Sequence, residues 1–440
     1  MELLQEIAQA AQPAEQVIER YCRARRYMGA KDRRAIQEQI FAVIRAQARL
    51  TWWLQKAGPA EVLLESARAR LSPLFYLRQS GAARLDQIEA LCGAGAYGPY
   101  ALEQRERDLL CLLPGDGLDH PDMPEATRCE VPDWLWARFQ SAFGEQVETE
   151  LLALREPAPV HIRSNTLLCD RAALQAALAE EGIETQPCGL APHGLVVSGR
   201  RGLLGTEAFR KGWFELQDEA AQLAALLCDV KPNQAVLDLC AGGGGKTLPL
   251  AAALGPDLAK ERGRLVAFDI DAKRLAGTRP RLKRAGITGV ELSSDPEALA
   301  SQAASFDRVL VDAPCSGTGR WRRSPDARWR LTAEDVSRDV ALQQSLLNQA
   351  ASLTTPGGRL IYATCSLLPE ENVHQVEGFL EAHEDFTLLP ISQVWAQVLG
   401  GVPPGEGNTL NLTPAGQGTD GFFVAALERK KPKTLPSTPL

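Results

Sequence analysis

The chain has 440 residues, 45% of them apolar and 23% charged, a balance that builds ample core, calls for two or three domains and excludes a disordered chain. Its formal net charge of −7 supplies no overall pull towards nucleic acid, so any such contact must rest on local clusters. No apolar run is long enough to span a bilayer, and Met1-Glu2-Leu3-Leu4-Gln5-Glu6 lacks the basic flank of a secretory signal, so a cytoplasmic location is expected.

Residues 1–150 read as an all-helical module, with apolar residues at helical spacing over 36–54 and 101–113 and breaks such as Leu113-Pro114-Gly115. Arg20, Arg23, Arg25, Arg26, Lys31, Arg33 and Arg34 crowd one segment of it, as a solvated face or as a phosphate contact. After Pro157-Ala158-Pro159 the texture changes. Residues 151–215 read as a small α/β module with strands at 160–168 and 194–198 and a helix over 171–181. Over 216–430, short apolar strands are expected at 236–239, 265–268, 290–292, 308–311 and 359–363, with helices over 273–285 and 333–353 between them. A hairpin of 409–412 with 422–427 closes the domain, and the Lys/Pro-rich stretch 431–440 is expected to be a disordered tail. Strands alternating with helices imply an α/β fold with a doubly wound, mostly parallel, Rossmann-like sheet.

Ligands of such a sheet bind beyond the carboxyl ends of its strands. There lies Cys240-Ala241-Gly242-Gly243-Gly244-Gly245-Lys246-Thr247. A phosphate-binding loop would need Gly at position 240, and a dinucleotide fingerprint would need Gly at 247, so each fails at one place. A methyl donor, carrying a sulfonium and a carboxylate, suits a glycine-rich turn followed by an acid at the end of the second strand for its ribose hydroxyls. Asp269 stands there, with helix capping as the plainer reading of such an acid.

Asp312-Ala313-Pro314-Cys315 follows the fourth strand and Thr364-Cys365-Ser366 the fifth. Of the ten cysteines none forms a Cys-x-x-Cys pair, and Cys22, Cys169, Cys228 and Cys240 lie in apolar runs, which points to reduced thiols and no metal. Cys315 and Cys365 fit a chemistry instead. Carbon 5 of cytosine attacks a methyl group only after a thiolate has added to carbon 6. An acid such as Asp312 favours the addition by holding the base edge, and a second thiol can assist release. Arg320, Arg322, Arg323, Arg328 and Arg330 beside Trp321 and Trp329 read as a contact for phosphates and unpaired bases.

These segments resemble the Sun/RsmB-type RNA (cytosine-5) methyltransferases over residues 20–430. The carriers are Gln217-Asp218-Glu219-Ala220-Ala221-Gln222, the loop 240–247, Asp312 to Gly319, Arg323-Ser324-Pro325-Asp326, Thr364-Cys365-Ser366 with Pro369-Glu370-Glu371-Asn372, and Asp420-Gly421-Phe422-Phe423. The resemblance implies a class I methyltransferase domain, Cys365 as nucleophile and Cys315 as the residue that assists release; by analogy with DNA methyltransferases Cys315 is the other candidate nucleophile. It implies S-adenosylmethionine contacts at Cys240, Ala241, Gly242, Gly243, Gly244, Gly245, Lys246, Asp269, Asp295 and Asp312. Ser293-Ser294-Asp295-Pro296 is also an ordinary turn. It further implies an RNA-facing module that includes Arg163 and Asn165, and a NusB-like N-terminal domain. The expected function is methyl transfer to carbon 5 of a cytosine in small-subunit ribosomal RNA by a monomer. The alternatives are a transfer RNA substrate or a non-catalytic ribosome-assembly protein; a nucleotide hydrolase is the weakest. The family commonly has Ala-Pro-Gly-Gly-Lys where this chain has Gly242 to Lys246 after Ala241, and Gly for Pro loosens the backbone.

Overall fold

The structure is a computed structural model describing residues 2–57, 74, 76–78, 81, 83–92, 101–111, 117–199, 202–258, 260 and 262–432. Parts of the helix expected over 101–113 and most of the expected tail lie outside the described residues. The chain forms two compact units, 1–157 with 320–331, and 158–319 with 332–440. No described helix is long and apolar enough to cross a membrane.

The first unit is helical, with Ala14–Ala24, Ala30–Arg45, Gln47–Ala57 and Asp133–Phe143 as its longer helices. The Gly29 N–H donates to Asp32 at 2.9 Å, which satisfies an amide at the start of the third described helix. Val17, Ile18, Ile44, Leu50 and Leu54 are buried together, the face that helical spacing predicts. The distant segment 320–331 completes this unit. Trp321 is wholly buried and meets Phe139 edge-on, with ring centroids 5.6 Å apart. Arg328 is wholly buried and donates to the carbonyls of Glu130 (2.9 Å) and Leu154 (3.1 Å).

The second unit holds two sheets. Strands β1 (Val160–Ser164), β2 (Thr185–Pro187), β3 (Gly194–Val197) and β4 (Phe214–Leu216) form an antiparallel sheet ordered β2-β3-β1-β4. The helix Arg171–Glu180 puts Leu174 and Leu178 against Ile162, Leu195 and Phe214 of that sheet. The strand expected over 160–168 stops at Ser164, because Asn165 turns the chain: the Leu168 and Cys169 N–H groups both donate to its carbonyl.

The larger sheet contains β5 (Ala235–Asp238), β6 (Arg264–Phe268), β7 (Glu291–Ser293), β8 (Phe306–Asp312), β9 (Thr354–Thr364), β10 (Phe386–Leu389), β11 (Leu410–Leu412) and β12 (Phe422–Arg429). Its order is β10-β12-β9-β8-β5-β6-β7, with β11 on β12. Strands β5 to β9 are parallel and β12 runs antiparallel to β9. Val236, Leu265, Leu310, Ile361 and Val424 bury one face and Leu237, Val266, Val309, Leu360 and Phe423 the other, as in a sheet covered by helices on both sides. The helix Ala333–Leu353 matches its expected span. The one expected over 273–285 is two, Ala272–Ala276 and Thr278–Arg284, joined at Gly277. Strand order reverses between β5 and β8, so the carboxyl ends of these strands and their neighbours form the binding crevice of this architecture.

Candidate active site

Each expected catalytic residue stands at such an end. β8 ends in Asp312 and β9 in Thr364, and their register pairs Asp312 with Ala363. The chain segments that follow therefore leave the sheet side by side. The Ala313 N–H donates to the Ala363 carbonyl and the Gly319 N–H to the Cys365 carbonyl, both at 2.9 Å. This stitching brings Cys315 Sγ to 3.4 Å from Cys365 Sγ, although fifty positions separate them. The Cys315 thiol is pushed well above its ordinary pKa by contact with Cys365 first, then by burial and by the charges of Cys365 and Glu371. Two touching thiols cannot both ionise cheaply, so one stays protonated beside the other.

Asp312 Oδ2 meets Lys246 Nζ at 2.5 Å, and the same ammonium lies 5.2 Å from the Phe422 ring centre. Lys246 ends the glycine loop, so one ion pair links the loop of β5 to the carboxyl end of β8. Below the loop, Asp238 Oδ2 accepts from Thr247 Oγ1 at 2.7 Å. Burial drives the Asp238 carboxyl up to about 7, against the Thr247 hydrogen bond and with further upward pushes from Asp312 and Asp269. Its Oδ1 is buried with no hydrogen-bond partner among the described residues.

Asp269 does not cap a helix. Its Oδ2 accepts from the Gly242 N–H at 2.7 Å and its Oδ1 from the Asp271 N–H at 2.8 Å; Asp271 caps the following helix. Asp295 does cap one, accepting from the Glu297 and Ala298 N–H groups. Gly242 and Gly244 take φ of +53° and +81°, and a Cβ on Gly244 would come within 2.4 Å of Thr278. One on Gly245 would meet nothing within 4 Å among the described residues. The loop is thus pinned on one side and open on the other. Ile270, directly after Asp269 at the carboxyl end of β6, is 73% exposed, a large apolar side chain left open to solvent. Sequence reasoning missed it; an apolar residue in the turn after a strand-end acid was the available signal.

The expected RNA contacts need correction. Arg163 and Asn165 are buried. Arg163 donates to Gln217 at 2.7 Å and to the Gly245 carbonyl at 3.4 Å, and burial lowers its pKa to about 10. Asn165 donates to the carbonyls of Gly212 and Ala285. Both tie the smaller sheet to the part of the unit that carries the larger one. Arg322 is buried, donating to the Pro157 carbonyl, and Trp321 and Arg328 are sealed in the helical core; none can stack on or pair with RNA. Of the five arginines of this cluster, Arg323 is half-buried and Arg320 and Arg330 are exposed. His161, Cys188 and Glu219 lie within 4.8 Å of one another, but protein groups hold them: His161 pairs with Asp218, Glu219 accepts from the Leu190 and Ala191 N–H groups, and the Cys188 thiol bonds to Glu219.

A sequence model of the 16S rRNA methyltransferase RsmB/F family matches residues 225–428, and one of an RsmF/B-like ferredoxin-like domain matches 131–202. Ribosomal RNA small subunit methyltransferase B of Pseudomonas putida is 33% identical over 415 residues, covering 90% of each chain. The protein of that name from Pectobacterium carotovorum is 30% identical, covering 91% of this chain and 92% of its own. Among solved structures, a methyltransferase homolog protein from Pyrococcus horikoshii superposes with a TM-score of 0.59 at 28% identity, covering 69% of this chain and 97% of its own.

Proposed function

The chain belongs to the 16S rRNA methyltransferase RsmB/F family, and from that premise we propose that it methylates carbon 5 of a cytosine in small-subunit ribosomal RNA, using S-adenosylmethionine and a covalent bond from Cys365 to carbon 6. The observation that carries this reading is the contact of two thiols at 3.4 Å on the loops that leave β8 and β9.

The glycine loop 240–246, Asp269 and the apolar side of Ile270 would hold S-adenosylmethionine, with Asp295 at the rim. The open side of Gly245 leaves room for it, and the strand-end acid suits its ribose hydroxyls. Bound there, S-adenosylmethionine supplies an electrophilic methyl group. The other work falls to the chain. The Cys365 thiolate adds to carbon 6, and the ring electrons move to carbon 5, making it nucleophilic. Asp312, fixed by Lys246, holds the pairing edge of the base and stabilises the addition. Once bonded to carbon, Cys365 is neutral, and the main opposition to ionising Cys315 is gone. After carbon 5 has taken the methyl group, Cys315 gives its thiol proton to solvent. Its thiolate takes the carbon-5 proton, the electron pair of that C–H bond re-forms the double bond, and the bond from carbon 6 to sulfur breaks with its electrons returning to Cys365 as a thiolate.

Methyl transfer to unmodified small-subunit ribosomal RNA, read by nucleoside mass spectrometry, tests the reading. A single mapped 5-methylcytosine is expected. Methylation of another atom overturns the mechanism, and product on transfer RNA alone overturns the substrate. Cys365→Ala should lower the rate by roughly 10³-fold or more, the scale of removing a nucleophile, with cofactor binding intact. Cys315→Ser should instead accumulate a protein–RNA adduct that survives denaturing electrophoresis; equal loss of adduct and product would reassign its role.

A further inference from the structure

Glu371 lies in the turn Pro369–Glu371 after β9, with no exposed surface. A carboxylate buried so completely must be paired or hydrogen-bonded. Its Oε1 accepts from the Ser316 N–H (2.8 Å) and from Gln343 Nε2 (3.1 Å), and its Oε2 accepts from Ser316 Oγ (2.5 Å). Gln343, wholly buried on the helix Ala333–Leu353, donates from the same Nε2 to the Pro314 carbonyl at 2.8 Å. The residue between Pro314 and Ser316 is Cys315. One amide and one carboxylate, bonded to each other, therefore grip the peptide groups on both sides of the second cysteine. The grip is itself anchored, since Tyr362 Oη donates to the Glu371 carbonyl at 2.6 Å.

We propose that Glu371 and Gln343 are positioning residues for release of the methylated RNA: they fix the Cys315 backbone so that its thiol rests against Cys365 and reaches the carbon-5 proton once Cys365 is bonded to the base. The inference rests on the covalent cytosine mechanism above and adds to it the groups that aim its second thiol. Neither residue touches the base or the methyl donor; both act through Cys315.

The electrostatics run the same way. Glu371 adds to the push that keeps Cys315 protonated while Cys365 is free, which leaves the nucleophilic charge to Cys365. Neighbouring ionisable groups feel the same burial and charge. The Tyr362 phenol is held well above its ordinary pKa by burial, then by Cys315 and Glu371. Asp339, on the helix that carries Gln343, is raised by burial and then by Glu371. Lys246 and Asp312 are paired with each other.

The test compares Glu371→Ala, Gln343→Leu and Glu371→Gln with Cys315→Ser in the full chain, on ribosomal RNA with S-adenosylmethionine. Glu371→Ala and Gln343→Leu break the grip. They should accumulate the denaturation-resistant adduct about tenfold or more over the unaltered protein and slow multiple turnover alike, while single-turnover methyl transfer stays within about threefold, the split expected when only the release step is harmed. Glu371→Gln keeps an oxygen for the Ser316 N–H and should restore release to within about threefold of the unaltered rate. Melting temperature and cofactor affinity, measured on all variants, identify any that fail to fold; Gln343→Leu carries the test if Glu371→Ala is one of them. Transfer and release falling together in folded variants overturns the proposal, and so does Glu371→Gln behaving like Glu371→Ala. If Cys315→Ser traps adduct and the grip variants do not, only this inference fails. If Cys315→Ser traps none and no 5-methylcytosine forms, the covalent mechanism beneath it fails first.

Discussion

Asp238 sits under the glycine loop with one carboxylate oxygen on Thr247 and the other without a hydrogen-bond partner among the described residues. Its folded pKa of about 7 lies far above the ordinary 3.8, and the sign of the consequence follows. Below the ordinary value both states bind the proton, and stability is full. As pH rises through the window from about 4 to 7, the unfolded carboxyl ionises and the folded one does not, so the unfolded state binds fewer protons and stability falls. Above it the native state holds a buried charge. Asp238→Asn copies the protonated form and can still accept from Thr247. Its stability relative to the unaltered protein should be near zero at pH 4 and rise towards a ceiling of about 4 kcal/mol by pH 8, at about 1.4 kcal/mol per pKa unit. Urea unfolding at several pH values measures this difference, and a difference independent of pH would refute the assignment. The same residue marks a limit of reading from sequence. Asp238 lay within an expected strand, but a raised pKa comes from burial under a loop, and one-dimensional spacing contains no depth.

The four glycines of the loop, Gly242 to Gly245, are not equivalent. Gly244 has φ +81°, and a Cβ there would strike Thr278 at 2.4 Å. Gly243 is not left-handed, and the nearest atom to a Cβ there, on Arg281, is 3.7 Å away. Gly243→Ala should therefore stabilise by roughly 0.4–1 kcal/mol through the unfolded chain. Gly244→Ala should lower the melting temperature and weaken S-adenosylmethionine binding by about tenfold or more, since a strained left-handed residue of this kind costs about 1–3 kcal/mol. Thermal melts and cofactor titration of both variants check the contrast, and similar behaviour of the two would show that the loop is not held as described. The loop, both cysteines and the strand-end acids were legible because short apolar runs broken by Gly, Asp and Cys announce a parallel sheet and its carboxyl edge. The props of the loop were not. Arg163 reads as a basic residue within a strand, yet its side chain lies inside, donating to the Gly245 carbonyl, because it faces the glycine loop from β1. Charge in a sequence shows what a residue can pair with, and only packing decides whether the partner is RNA or the protein's own backbone.

At the scale of the molecule, the chain lends a piece of its second unit's sequence to its first. Residues 320–331 follow the cysteine loop directly, yet their side chains fill the helical core: Trp321 against Phe139, and Asp326 accepting from the Ala14 N–H at 3.0 Å. Arg328 is held by the Glu130 and Leu154 carbonyls, and burial lowers its pKa to about 10. Glu130, itself without exposed surface, is matched by Arg49 at 2.8 Å and by the Ala48 and Arg49 N–H groups. A basic, tryptophan-rich segment is indistinguishable by composition from an RNA-binding one, and this is why its place in the helical core escaped sequence reasoning. The arrangement makes the helical unit incomplete on its own. A fragment of residues 1–157 should leave the Trp321 site empty and the Glu130 and Leu154 carbonyls without their donor, and so unfold at a lower temperature and with less cooperativity than the same unit in the full chain. Adding the twelve-residue peptide 320–331 in trans should raise its melting temperature in a concentration-dependent way. In the full chain Arg328→Met keeps much of the apolar stem but removes the donors, and should cost on the order of 3 kcal/mol, as when one partner of a buried charged network is deleted. Calorimetry on the fragment, with and without peptide, decides the matter. If the fragment melts at one temperature regardless of the peptide, the segment merely rests on a finished core; if the peptide restores cooperative melting, folding of the helical unit waits on residues that the chain supplies only after Cys315.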